Sequence, residues 1–226
     1  MATGIARGIF VTGTGTEVGK SIVAAAICAA LAADGVRVAA FKPAVSGLEE
    51  QPGEWPPDHV LLAESAGSGQ SPERVAPYLF GPPLSPHLAA ELEGIAIEPE
   101  RLRDEAALAA ADADVLVVEG VGGLLVPLTP AYLVRDLAVD LGLPVVVVAA
   151  PGLGTINHTL LTIESSRAAG LTVAGAVLTP WPDAPGALER SNRETISHLG
   201  KGEVSTLPVS SSDGLAQAAR HLPIER

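Results

Sequence analysis

The sequence predicts an α/β protein, a single doubly wound, mostly parallel sheet with helices on both faces. Three observations carry this. Short apolar runs alternate with helical patterns along the whole chain. The two clearest runs, Asp114 to Val118 and Val145 to Ala149, are continuous rather than alternating, as expected of strands buried on both faces. Finally, 47 % of residues are apolar but only 3 % aromatic. The core must therefore be built from Ala, Val, Leu and Ile, which lets helices pack closely on a parallel sheet. The 226 residues are enough for one large domain with a proper core, read as residues 1–226, and no repeat or low-complexity linker divides them.

Taken in order, Gly8 to Thr12 reads as the first strand. An Ala-rich helix follows from about Lys20 to Ala33, closed by Gly35 just past its end. Val36 to Phe41 reads as a strand, and Lys42 to Pro57 as a loop rich in Gly, Pro and Glu. A helix starts near Asp58, whose carboxylate suits a cap. Another runs from about Pro99 to Ala111 with Pro at its first turn. After the Val145–Ala149 strand come a loop from Pro151 to Thr155 and a helix from Asn157 to Ala169, ended by Gly170. A strand from Val173 to Leu178, a helix from Ala187 to Leu199, and a last short strand and helix beyond Val204 complete the pattern. Ligands of such sheets bind beyond the carboxyl ends of the strands.

The net charge of −12 repels nucleic acid and anionic membranes, so phosphate binding must come from local geometry and a few placed cations. The single cysteine, Cys28, excludes an intrachain disulfide framework and a cysteine-rich metal site. Its setting, AAAICAALAA, reads as a buried helix face. No signal-like segment and no run long enough for a membrane span is visible, which predicts a cytoplasmic protein.

The stretch Gly13-Thr-Gly-Thr-Glu-Val-Gly-Lys-Ser21 lies between a strand and a helix. It resembles the phosphate loop G-x-x-x-x-G-K-[ST], but is one residue long. The standard first glycine would fall at Thr14, and the glycines are Gly13 and Gly15. Glycines let backbone N–H groups approach phosphate oxygens, and the helix N-terminus adds partial positive charge. Lys20 would reach the β- and γ-phosphates and Ser21 would offer its hydroxyl to Mg²⁺. The fold class is thus of the P-loop nucleotide-binding type. Glu17 is an unusual neighbour for phosphate, and suits a substrate that carries amines.

Two further strand ends complete a phosphoryl-transfer site. Glu119, after Val117-Val118, stands where a metal-holding carboxylate of such folds stands, and Gly120-Val121-Gly122-Gly123 after it would let backbone approach a ligand. Lys42 ends a strand in Phe41-Lys42-Pro43-Ala44-Val45-Ser46-Gly47, a costly place for an unpartnered charge.

Together, VTGTGTEVGKS, FKPAVSG, Asp58, Ser85-Pro86-His87, VEGVGG and GLGTINHTLLT (Gly152 to Thr162) resemble the dethiobiotin synthetase family, whose phosphate loop has the same long form. The resemblance runs from about Val11 to Thr162. It implies an ATP- and Mg²⁺-dependent cyclo-ligase. In that family 7,8-diaminopelargonate and CO₂ form a carbamate, ATP phosphorylates it, and the second amine closes the ureido ring. By resemblance, Lys42, Lys20 and Thr16 are catalytic. Ser21, Asp58 and Glu119 hold the metal. Thr16 and the backbone of Glu17, Val18, Gly19, Lys20, Ser21 and Ile22 line phosphates and substrate, with Gly120, Val121 and Gly122 opposite. Ser46 binds substrate, and the family's homodimer brings Gly154 and Asn157 to the substrate carboxylate from the second subunit. His87 and His158 read as structural.

The family's base-reading Asn-Asp is replaced here by Thr179-Pro180. The resemblance then leaves the base to Thr179 and to backbone near Pro208 and Val209, and admits nucleoside triphosphates other than ATP. Two other classes fit less well. A glutamine-dependent amidoligase needs a fused glutaminase with a catalytic cysteine. A partitioning ATPase acting on a macromolecule carries a second loop lysine at the slot of Gly15.

Overall fold

In the computed structural model, which describes residues 5, 7–51 and 53–222, the chain builds a six-stranded parallel sheet. In chain order the elements begin β1 (Gly8–Gly13), α1 (Lys20–Ala33), β2 (Val38–Phe41), α2 (Asp58–Ala66), α3 (Pro72–Val75), α4 (Pro86–Glu93), α5 (Pro99–Ala110) and β3 (Val115–Gly123). A hairpin, β4 (Pro127–Thr129) and β5 (Tyr132–Leu133), leads into α6 (Val134–Leu141). The rest is β6 (Val145–Ala149), α7 (Thr155–Ala168), β7 (Val173–Trp181), α8 (Ala187–Gly200), β8 (Val204–Pro208) and α9 (Leu215–Ala218). The strand order is β2-β3-β1-β6-β7-β8. The order reverses about β1, which lies between β3 and β6, so its carboxyl end opens onto the crevice where doubly wound sheets bind ligands.

The strands alternate their side chains between two cores. Ile9, Val11, Ala40, Val117 and Val146 join α1, α2 and α9 on one face. Phe10, Phe41, Leu116, Val118 and Val147 join α4 to α8 on the other. Helix α1 lies wholly against the sheet because its inner positions are Ala and Val, with Ala24, Ala25, Ala26 and Cys28 fully buried. Burial pushes the Cys28 thiol far above its ordinary range, with the Glu119 charge adding to it, so it stays an inert packing group.

The largest strand-one side chain, Phe10, is fully buried, and its ring stands 3.1 Å from where a Cβ on Gly120 would sit. Phe10→Ala is expected to cost about 3–5 kcal/mol. A urea midpoint shift at unchanged slope would measure it. A loss under about 1 kcal/mol would show that the sheet closes over the gap.

Several elements depart from the sequence reading. Strand β2 starts at Val38 rather than Val36, α7 starts at Thr155 rather than Asn157, and β7 runs on to Trp181. Helices α3, α4 and α6 and the β4–β5 hairpin were not foreseen. The signal for α6 was there: Val134, Leu137, Ala138 and Leu141 are buried at helical spacing, and Gly142 closes it at φ 67°. Asp140 of α6 accepts from the Arg103 guanidinium of α5 at 2.8 Å and from the Tyr132 hydroxyl at 2.7 Å, which ties hairpin, α5 and α6 together.

Candidate active site

The phosphate loop is held by two close approaches. A Cβ on Gly13 would fall 2.8 Å from Val18 Cγ2 and 2.9 Å from Lys20 Cδ, so this glycine is required for packing of the loop on itself. Gly19 has φ 91° and opens α1, whose N-terminus carries no side-chain cap. Its first N–H groups and dipole are therefore left for an anion. Lys20 Nζ donates to the Gly15 carbonyl at 2.8 Å, folded back over the loop. Burial lowers the Lys20 pKa, opposed by the charge of Glu119 and reinforced by that of Lys42.

Two adjacent strands and the start of α2 deliver the charges. Lys42 follows β2 and is 3 % exposed. Its Nζ lies 2.6 Å from Glu119 Oε1 and 2.7 Å from Asp58 Oδ2. Glu119, fully buried on β3, pairs in register with Val11 of β1, and its Oε1 also accepts from Ser21 Oγ at 2.8 Å. Burial would depress the Lys42 pKa, but the Glu119 and Asp58 carboxylates raise it above the ordinary value. Burial likewise pushes the Asp58 carboxyl up, yet Lys42, with Ser21 and Lys20, holds it below its ordinary range. Full burial pushes the Glu119 carboxyl up, and the Lys42 ammonium opposes the rise.

The donor set fits a hard divalent cation. Glu119 Oε2 is buried with no hydrogen-bond partner, beside the Ser21 hydroxyl and the second carboxylate, Asp58. Among the described residues no three His, Cys, Asp or Glu side chains gather as metal ligands, and the donors here are two carboxylates and one hydroxyl.

A cavity of about 440 Å³ opens over these groups. The predicted residues Thr16, Glu17, Gly19, Lys20, Ser21 and Ile22 line it, as do Lys42, Ser46, Asp58, Glu119, Val121 and Gly122. Sequence reasoning missed Glu50, Trp55, Ala44 and Leu61, which also line it. Glu50 and Trp55 sit in the Gly- and Pro-rich β2–α2 connection, where no periodicity marks a wall.

Other predicted residues lie outside this cavity. Val18 packs toward the α1-side core. Gly120 is a glycine for packing, since a Cβ there would fall 2.9 Å from Val134 Cγ1. Thr179 is buried, and Pro208, at the end of β8, pairs with Trp181, with Val209 exposed beyond it. Asn157 is not the helix cap: Gly154, at φ 92°, takes that place, and Asn157 is exposed in the first turn of α7. The loop behind it is pinned by Asn192, whose side-chain amide donates to the carbonyls of Pro151 at 2.9 Å and Gly152 at 3.1 Å. His87 Nδ1 lies 3.0 Å from the Ser85 hydroxyl at the start of α4, and His158 is exposed.

A parallel sheet with a glycine-rich loop leading into an uncapped helix, and with a lysine and a hydroxyl at a buried carboxylate, defines a P-loop nucleotide-binding protein. Two solved structures share the fold. The MinC:MinD cell division protein complex of Aquifex aeolicus matches at a TM-score of 0.58 and 16 % identity, over 94 % of this chain and 86 % of that one. A ParA family ATPase from Chlorobium tepidum matches at 0.54 and 15 %, over 97 % and 93 %. Residues 7–210 match a family model described as an AAA domain. The ATP-dependent dethiobiotin synthetase BioD of Anaeromyxobacter dehalogenans is 50 % identical over 172 residues, 76 % of each chain. That of Bacillus subtilis is 37 % identical over 193 residues, 85 % of this chain and 83 % of its own. The chain belongs to the dethiobiotin synthetase family.

Proposed function

We propose that the protein is an ATP-dependent dethiobiotin synthetase acting in the cytoplasm as a homodimer. It would carboxylate 7,8-diaminopelargonate with CO₂ and close the ureido ring at the expense of ATP. The observation that carries this reading is the Lys42 ammonium, buried and clamped between two carboxylates over the cavity that the phosphate loop lines. No helix among the described residues is long and apolar enough to cross a membrane.

The chemistry makes three demands. One amine nitrogen bonds to the carbon of CO₂ and loses a proton, giving a carbamate. A carbamate oxygen then attacks the γ-phosphorus and ADP leaves. The second amine attacks the carbamoyl carbon, phosphate departs with the C–O bond electrons, and the amine proton is released. Carbamate and γ-phosphate are both anions, so their approach must be screened. Lys42 and Lys20 supply that positive charge, already oriented and partly desolvated, where electrostatic stabilisation is strongest. Mg²⁺, held by Ser21, Asp58 and Glu119, would add charge at the β- and γ-phosphates. Thr16 and Ser46 present hydroxyls to the diamine from the cavity wall. Glu17, exposed at φ 59° in the loop, favours a cationic amine at the mouth.

The substrate carboxylate falls to the partner subunit's first turn of α7, around Gly154 and Asn157, where the free N–H groups and dipole favour an anion. ATP is the co-substrate; with no base-reading amide at Thr179, either backbone near Pro208 and Val209 holds the base or CTP and GTP also serve. The test is phosphate release with Mg-ATP, bicarbonate and 7,8-diaminopelargonate, each omitted in turn. Release that needs diamine and CO₂ together is expected. Release indifferent to the diamine would overturn the reading in favour of a regulatory ATPase.

A further inference from the structure

Thr179 stands at the carboxyl end of β7, just past Leu178, which pairs with Ala149 of β6. It is only 3 % exposed and does not line the 440 Å³ cavity. Its γ-methyl is turned onto the phosphate loop. A Cβ placed on Gly19 would fall 2.6 Å from Thr179 Cγ2, but 3.8 Å from Thr179 Oγ1. The methyl, and not the hydroxyl, therefore meets the glycine. Gly19 joins loop and helix at φ 91°, a left-handed conformation that glycine, lacking a Cβ, enters and leaves at little steric cost. A methyl wedged against its α-carbon limits that freedom before any ligand arrives. Preorganisation of this kind raises affinity by removing part of the ordering cost.

We infer that Thr179 is a positioning residue for the phosphate loop, acting through its methyl on Gly19, and that its hydroxyl does not read the nucleobase. The inference rests on the nucleotide-binding reading given above. It has a specific consequence: what Thr179 contributes is common to every nucleoside triphosphate, because it acts on the phosphate cradle.

The two conservative variants separate the roles. T179S keeps the hydroxyl and loses the methyl, and T179V does the reverse. Equilibrium binding of Mg-ATP, Mg-CTP and Mg-GTP, measured calorimetrically on the full-length parent and both variants, reads the effect without turnover. T179S is expected to weaken all three by about fourfold, the worth of one buried methyl, with their ratios unchanged. T179V is expected to bind all three as the parent does. In turnover, T179S should raise the nucleotide KM and leave kcat intact.

A change in the ATP:CTP:GTP ratio in T179V, with the ratio kept in T179S, would overturn the inference and assign the hydroxyl to the base. A T179S protein that melts lower but binds all three nucleotides like the parent would also overturn it, leaving Thr179 a packing residue alone. Failure of the parent itself to bind any of the three would instead strike the nucleotide-binding reading beneath it.

Discussion

Lys42→Gln should lower kcat by about 10²–10³-fold, the usual effect of removing one preorganised donor from a charged transition state. The variant keeps much of the side chain's length and loses its charge. Steady-state phosphate release under saturating diamine measures this, and unchanged turnover would remove Lys42 from the mechanism. A second effect follows from burial. Glu119 is 0 % exposed and would keep the Ser21 hydroxyl but lose the ammonium 2.6 Å from its Oε1. Breaking a buried pair by removing one member costs about 3–5 kcal/mol.

That stability loss depends on pH. Burial already pushes the Glu119 carboxyl above its ordinary value, and without Lys42 the opposing pull is gone. A group whose folded pKa is raised contributes fully below its unfolded value and loses that contribution as pH rises. The destabilisation of Lys42→Gln should therefore be smallest in acid, near or below the ordinary glutamate pKa. It should grow as pH climbs through the raised value. The double variant K42Q/E119Q removes both charges and should regain much of the lost stability at neutral pH without regaining activity. A double variant no more stable than the single one would refute the account of Glu119 as the strained partner.

Glu119→Gln should raise the Mg²⁺ concentration for half-maximal turnover by at least about 100-fold, since even outer-shell partners of a metal are commonly worth 10–100-fold. The unpartnered Oε2 motivates this expectation. A readout besides turnover is the thermal shift with Mg-nucleotide. In the parent, ligand at about 100 times its Kd should stabilise by roughly 2.7 kcal/mol. In Glu119→Gln most of that shift should vanish at the same concentration. An unaltered Mg²⁺ dependence would place the metal elsewhere.

How much of this was legible in the sequence depended on range. The phosphate loop and α1 came out to the residue, because strand, glycines, Lys20 and the Ala-rich helix are contiguous and each enforces the next. Lys42, Asp58 and Glu119 were named from motif context, but their mutual contact was not foreseen. It arises only when β3 pairs with β2 and α2 packs beside them, a long-range fact that no local pattern carries. The methyl of Thr179 on Gly19 is of the same kind, since β7 is brought to the loop through the sheet. The start of α7 was read at Asn157, a residue type common at helix starts, whereas the helix opens at Thr155 behind Gly154, whose left-handed backbone takes the cap position. The β4–β5 hairpin was missed because its strands of three and two residues are too short for any alternation to show.

The position of β1 also shapes how the chain acquires its structure. Gly8 pairs with Leu116, and Phe10 pairs with Val145. The strand that anchors the sheet has no lasting partner until residues far downstream are made. At a synthesis rate of ~5–20 residues per second, β1 waits on the order of ten seconds for β6. Through that interval Ile9, Phe10 and Val11, all buried in the end, have only α1 and, once made, β3 to cover them. Non-local parallel pairing is slow to form for the same entropic reason. Yield in a cell should then depend on how β1 is shielded while it waits, more than on the final stability of the sheet.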